Sequence, residues 1–158
     1  MDEIDRKIAI AVQADGAAGL ADLAKIAGLS VSATAERQKR LEERGVIRGW
    51  HALLDPVQVG CPLLAFVRLA IRPGRQEGAF RNAMAAHPNV LECHRMSGEW
   101  PYLLKLRLAD LAALEEFLAA HVRNLPGLER LAVDVALASV KETHLLPVAP
   151  LSAEEEDE

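Results

Sequence analysis

Five histidines, two cysteines and many carboxylates raise the question of catalysis or metal binding first. His87, Cys93 and His94 lie close along the chain, but neighbouring residues of a strand project to opposite faces, so Cys93 and His94 do not converge on one metal. Cys61 and Cys93 are too sparse for a disulfide framework and lack the paired spacing of a zinc site. Glu115 and Glu116 are neighbours on an expected helix, about 100° apart, and face water rather than a cleft. No phosphate-binding loop, glycine-rich dinucleotide fingerprint or nucleophile elbow occurs. The chain therefore reads as a non-enzyme that uses no cofactor and no metal.

The positive charges are more informative. Across residues 31–48, Arg37, Lys39, Arg40, Arg44 and Arg48 stand against Glu36, Glu42 and Glu43, a local balance of +2. The rest of the first fifty residues holds Arg6, Lys7 and Lys25 against five aspartates and glutamates, a balance of −2. Cations gathered on one helix suit double-stranded DNA. The first residues of such a helix reach base edges in the major groove while flanking cations hold phosphates. Ser32, Ala33 and Thr34 then offer hydroxyls and a methyl to bases, with Ser30 beside them at the turn. Arg37 is the strongest choice for a bidentate guanine contact, and Lys39, Arg40 and Arg48 are expected on phosphates.

Three helices must position these groups. Asp2 caps a helix carrying Ile4, Ile8, Ala11 and Val12 at helical spacing, and Gly16 stops it. A second, two-turn helix carries Leu20, Leu23, Ala24 and Ala27 and closes at Gly28. Ser30 or Ser32 caps the third, which runs to about Arg44 before Gly45. A short helix, a glycine turn and a second helix form a helix-turn-helix. Val46, Ile47, Trp50 and Leu53 then suggest a short strand pair, making the motif winged, before Asp55-Pro56.

From Leu63 the period changes. Ala65, Val67, Leu69 and Ile71 alternate with Leu64, Phe66, Arg68 and Ala70, a strand apolar on both faces. A helix follows at about residues 76–87, with Phe80, Ala83 and Met84 inward. Strands at 90–96 and 102–108 flank Ser97-Gly98-Glu99-Trp100-Pro101 as an antiparallel hairpin. A second helix at about 111–124 carries Leu111, Leu114, Leu118, Val122 and Leu125, and a last strand alternates from Leu131 to Ala138. Strand, helix, strand, strand, helix, strand is the ferredoxin-like βαββαβ order, so the whole is an α+β chain. Its helices cover one sheet face. The other carries Leu64, Phe66, Arg68, Leu103, Lys105, Arg107, Ala132, Asp134 and Ala136, and is expected to pair two copies as a homodimer. The expected domains are 1–50, a linker at 51–62, 63–147, and a disordered acidic tail at 148–158.

Composition agrees with a folded chain. At 158 residues and 51% hydrophobic the sequence is too apolar for disorder, and its longest apolar runs fall far short of a membrane span. Met1 leads into Asp2 and Glu3 rather than a signal sequence, so a cytoplasmic location is expected. The formal charge of −5 equals the run of five acids at residues 154–158, which leaves the remainder neutral.

The chain resembles the Lrp/AsnC family of leucine-responsive and feast/famine regulators. The likeness rests on Asp5-Arg6-Lys7-Ile8, Leu23-Ala24, Gly28-Leu29-Ser30, Ser32, Arg37, Leu41-Glu42, Gly45-Val46-Ile47, Leu54-Asp55-Pro56 and Gly60. Further on it rests on Glu92-Cys93-His94, Ser97-Gly98-Glu99-Trp100, Tyr102-Leu103-Leu104-Lys105, Leu125-Pro126-Gly127 and Val140-Lys141. The resemblance implies a transcriptional regulator whose dimers assemble to tetramers or octamers. It also implies a small effector, often an amino acid, at the loop formed by Ser97, Gly98, Glu99, Trp100, Pro101 and Tyr102. Pro101 stands where a second acidic residue is usual, and Gln38 where an aliphatic one is. Two other readings attach to the architecture: an effector-independent DNA-organising protein, and an enzyme similar to tetrapyrrole decarboxylases.

Overall fold

A computed structural model describes residues 1–148. They form two compact units, one of Met1–Leu53 with the described residues from Glu142 onward, the other of Leu54–Lys141. By this division residues 142–147, expected within the second domain, group with the first unit. The acidic run at 154–158 lies outside the described residues.

In the first unit, α1 (Glu3–Ala14) begins where the Asp2 carboxylate accepts the Asp5 backbone N–H at 2.7 Å. That bond satisfies one of the four amides a helix start leaves unpaired. Helix α2 (Leu20–Ala27) ends at Gly28, whose φ of +70° is left-handed and favours a residue without a Cβ. Helix α3 (Val31–Glu43) is capped by Ser30, whose hydroxyl accepts the Ala33 N–H at 3.2 Å. Ile8, Leu23 and Leu41, one from each helix, are buried together with Val12 and Ala27. Three short helices share one core, and none is long enough to hold by itself.

The expected strand pair after Gly45 does not form, and no strand precedes Leu63 among the described residues. The amides of Val46 and Ile47 both donate to the Leu41 carbonyl, at 2.9 and 3.1 Å, and so finish α3 instead of starting a ladder. Trp50 lies over Gly16, where a Cβ would come within 3.6 Å of its ring. An isolated two-stranded pair is marginal in water, and here the backbone groups find helix partners. Among the described residues the motif is a helix-turn-helix with no strand pair following it.

The second unit is built from β1 (Leu63–Ile71), α4 (Arg75–Ala86), β2 (Val90–Arg95), β3 (Tyr102–Leu108), α5 (Leu111–His121) and β4 (Leu128–Val135). The sheet order is β2-β3-β1-β4, with every pairing antiparallel. This is the ferredoxin-like arrangement. Ala65, Val67 and Leu69 of β1 and Leu104 and Leu106 of β3 are fully buried beneath Phe80, Met84, Leu114, Phe117 and Leu118 of the helices. Two inward assignments need correction. Ala83 is exposed, and Leu111 is 61% exposed while Phe117 takes the inward place. Leu111 is the first residue of α5, directly after the Asp110 cap. β4 stops at Val135, two residues before the exposed Leu137, because only the Ala136 amide still finds β1, through the Leu64 carbonyl at 2.9 Å.

On the uncovered sheet face, register places Leu64 opposite Arg107, Phe66 between Lys105 and Asp134, and Arg68 between Leu103 and Ala132. That is the face anticipated from alternation.

Candidate functional sites

The first site is α3. Its inward stripe is Thr34, Arg37 and Leu41, three and four residues apart. Thr34 is fully buried, and its hydroxyl donates to the Ser30 carbonyl at 2.9 Å. Thr34 therefore supports the turn and presents nothing to bases, which corrects the expected role. Arg37 is likewise committed inward. Its Nη1 donates to Asp2 at 2.5 Å and to Asp5 at 2.7 Å, with the Arg37 side chain 23% and the Asp5 side chain 11% exposed. The two carboxylates hold the guanidinium above its ordinary pKa. Asp2 is held below the usual carboxylate range by the Asp5 amide and then by Arg37. Arg37 is thus the clamp that ties α3 to the start of α1, and the expected guanine contact has no free guanidinium behind it in this arrangement.

The remaining members divide by exposure. Ser30 is engaged as the cap, and its hydroxyl lies 3.2 Å from that of Ser32. Ser32, Lys39, Arg40 and Arg48 are exposed, and Ala33 is half-buried. Lys39 faces Glu43 only loosely, at 3.7 Å, while Arg44, more than half exposed, sits 3.8 Å from Asp5. Gln38 is half-buried and donates to Glu42 at 3.2 Å, so its amide meets a partner on its own helix. The outer side of α3 therefore offers a serine hydroxyl at its start and cations along and beyond it.

The second site is the β2–β3 loop. Pro101, which has no N–H, accepts the Met96 amide at 2.8 Å through its carbonyl and closes the loop. Ser97, Gly98 and Glu99 are exposed. Arg68 and Arg130 both lie over the Trp100 ring, at 5.3 and 4.7 Å from its centroid, where a guanidinium is attracted by the ring's negative face. Arg130 also donates to the Glu99 carboxylate at 2.6 Å and to the Glu99 carbonyl, and Arg68 pairs with Asp134 at 2.9 Å. A hollow of about 230 Å³ opens on the uncovered face between Arg68, Met96, Gly98, Glu99, Trp100 and Leu103. Tyr102 does not line it. Its buried ring packs edge-on against Phe80 beneath the helices, and its hydroxyl donates to Glu77 at 2.6 Å.

Arg68, Arg130, Met96 and Leu103 were not singled out for this site from sequence. Arg68 and Leu103 are register partners, a juxtaposition available once the strands are aligned. Arg130 stands opposite Ala70 in the same β1–β4 register that sets Ala132 opposite Arg68, so it reaches the loop from a third strand that only this long-range pairing brings near. The residues weighed for catalysis stay apart. Cys93 packs against the helix-covered core, and burial pushes its thiol up. His94 turns to the other face and bonds to Glu92 at 2.9 Å. Among the described residues no cluster of three or more His, Cys, Asp or Glu is placed to hold a metal, and no helix is long and apolar enough to cross a membrane.

A capped helix-turn-helix joined to a ferredoxin-like unit with an open face and a loop-side hollow defines a two-part regulator. One part is built for nucleic acid and the other for a ligand and self-association. The AsnC-type helix-turn-helix model matches residues 1–42, and the Lrp/AsnC ligand-binding domain model matches residues 64–146. The chain belongs to the Lrp/AsnC family of transcriptional regulators. It is 38% identical to the leucine-responsive regulatory protein of Haemophilus influenzae over 148 residues, covering 92% of this chain and 89% of that one. Its identity to the Escherichia coli K12 protein of the same name is 35% over 150 residues, with coverage of 94% and 92%. A Neisseria meningitidis transcriptional regulator solved in complex with L-Met superposes with a TM-score of 0.88 at 31% identity, covering 93% of this chain and 96% of that one. An AsnC family regulator from Agrobacterium tumefaciens gives 0.87 at 35%, covering 93% and 97%. These relatives are regulators, and neither the DNA-organising nor the decarboxylase-like reading is favoured by them.

Proposed function

We propose that this protein binds operator DNA through α3 and reads an amino acid or a related metabolite at the Trp100 loop, without catalysing a reaction. The observation that carries the DNA half is the division of α3. Thr34, Arg37 and Leu41 fix one side to the core, which leaves Ser32, Lys39 and Arg40 on the outside, with Arg44 and Arg48 at its end. In this reading Ser32 and Ala33 approach bases, the exposed cations hold phosphates, and Arg37 acts only by fixing the helix.

Support for the effector half is the chemistry of the hollow. An α-amino acid carries an ammonium and a carboxylate, and Glu99 and Arg130 offer the complementary pair. They now bond to each other, so a zwitterion enters by exchanging partners with them, while Met96, Leu103 and Trp100 receive an apolar side chain. Homodimers form through the uncovered face, and further assembly to tetramers or octamers follows from ligand binding that favours one assembly state. A thermal-shift screen of the amino acids tests this: at least one should raise the unfolding temperature of the wild type and lose that effect in Glu99→Gln. No shift from any amino acid contradicts the effector assignment.

A further inference from the structure

Among the described residues that line the hollow beside Trp100, Arg68 is the one cation, and only part of it is engaged. Its place follows from β1. Alternation turns Phe66 and Arg68 to the uncovered face, and register sets Arg68 between Leu103 and Ala132. From there the guanidinium reaches over the Trp100 ring, 5.3 Å from its centroid, and Asp134 holds it from β4. Nε and Nη2 both donate to the same Asp134 oxygen, at 3.2 and 2.9 Å. A guanidinium carries five N–H donors in a planar fork. Asp134 takes one edge of that fork, and the end formed by Nη1 and Nη2 keeps donors that have no partner among the described residues. Arg130 is the opposite case. Its Nη1 goes to the Glu99 carboxylate and its Nη2 to the Glu99 carbonyl, which ties the loop to β4.

The other charged wall of the hollow is Glu99. Its Oε1 accepts from Arg130, and its Oε2 has no partner among the described residues. Met96, Leu103 and Trp100 supply the apolar part of the lining. An open guanidinium end, an open carboxylate oxygen and apolar surface around one hollow of about 230 Å³ match a free α-amino acid. Both charges are held from outside the lining, Arg68 by Asp134 and Glu99 by Arg130, so their orientation is set before a ligand arrives. We propose that Arg68 receives the effector's α-carboxylate in a bidentate pair at its Nη1–Nη2 end, while the free oxygen of Glu99 takes the ammonium. The inference rests on the effector reading above and names the cation that serves it. Seating the carboxylate on Arg68 breaks no existing pair, whereas drawing Arg130 away from Glu99 releases the loop from β4. Selectivity follows from the two charges. An α-amide lacks the group that fills the Arg68 fork, and a 2-oxo acid brings a second negative charge beside Glu99 with no ammonium to offset it.

The test begins with the amino acid that gives the wild type its largest thermal shift. That amino acid, its α-amide and its 2-oxo acid are then titrated calorimetrically into the wild type, Arg68→Gln, Arg68→Lys and Arg130→Gln. The wild type should bind the free amino acid about tenfold or more tightly than either analogue. Arg68→Gln should weaken the amino acid about thirtyfold, as loss of a hydrogen bond to a charged group does, and bring it down to the level of the α-amide. Arg68→Lys keeps the charge without the fork and should recover part of the loss. A merely structural role for Arg68 would not close the gap between acid and amide. Arg130→Gln should leave that gap open. Equal binding of acid and amide by the wild type, or a gap that survives in Arg68→Gln, overturns the proposal. If the gap closes in Arg130→Gln instead, the carboxylate belongs on Arg130 and the effector reading stands. Should Arg68→Gln not fold, Arg68→Lys carries the comparison, and an unchanged gap there counts against Arg68. Absence of a thermal shift from every amino acid brings down the effector reading itself, which is a distinguishable outcome.

Discussion

Arg37 shows how a residue's type and its place can point in different directions. On a helix start rich in small polar residues, an arginine reads as a base contact. Its position, three residues after Thr34 and four before Leu41, puts it on the inward side, where Asp2 and Asp5 receive it. Helical arithmetic could have warned of this, but the two aspartates lie more than thirty residues away, and only the packing of α1 on α3 brings them together. Arg37→Ala leaves Asp5 under-compensated and mostly buried. It should destabilise the first unit by about 2 kcal/mol in chemical denaturation, below the range for a fully buried pair because part of the site reaches water. A drop in DNA affinity without any loss of stability would restore Arg37 to the recognition surface.

His87 makes a prediction of opposite electrostatic character. Its ring stands edge-on to Phe117 and to His121, at 4.9 and 4.6 Å between centroids, and its Nδ1 accepts the Asn89 N–H at 3.2 Å. Burial, and then the neighbouring His121, push its pKa below the ordinary value. An unfolded chain takes up this proton near pH 6.5, whereas the folded chain resists until lower pH. Stability from His87 is therefore intact above about pH 7 and declines as pH falls through 6. The unfolding temperature of the wild type should drop more between pH 7.5 and 5.5 than that of His87→Gln; parallel profiles would contradict this.

Among the elements, those with strong local signals were legible. Asp2, Gly28 and Ser30 announced the ends of three helices, and the βαββαβ order followed from the change of period at Leu63. What failed was structure decided by competition for backbone groups. Val46 and Ile47 have strand-like side chains, yet their amides complete α3. The Trp100 loop was legible as a loop but not as a site, because Arg68 and Arg130 arrive from two other strands through register. Gly28→Ala tests the helix-turn-helix at this scale. Nothing crowds the position, so the effect is the left-handed backbone alone, worth about 1 kcal/mol of destabilisation in denaturant titration.

At the scale of the molecule, the uncovered sheet face is the feature one chain cannot complete. Phe66 sits at its middle with Leu64 and Leu103 as neighbours on the same face. Phe66→Glu should convert the dimer to a monomer in sedimentation while leaving the helix-covered core intact; an unchanged oligomer would move the interface elsewhere. The net charge of −5 is also a property of the molecule that misleads when read alone. The acids at 154–158 account for all of it, while the cations that matter are gathered on one helix. The central claim, that the outer side of α3 holds DNA, is met most directly by the salt dependence of binding. For duplex DNA the slope of log K against log salt should become shallower by about 0.9 in Lys39→Ala and again in Arg40→Ala, one phosphate fewer being neutralised in each, with folding stability unchanged. Slopes equal to that of the wild type in both variants would contradict it.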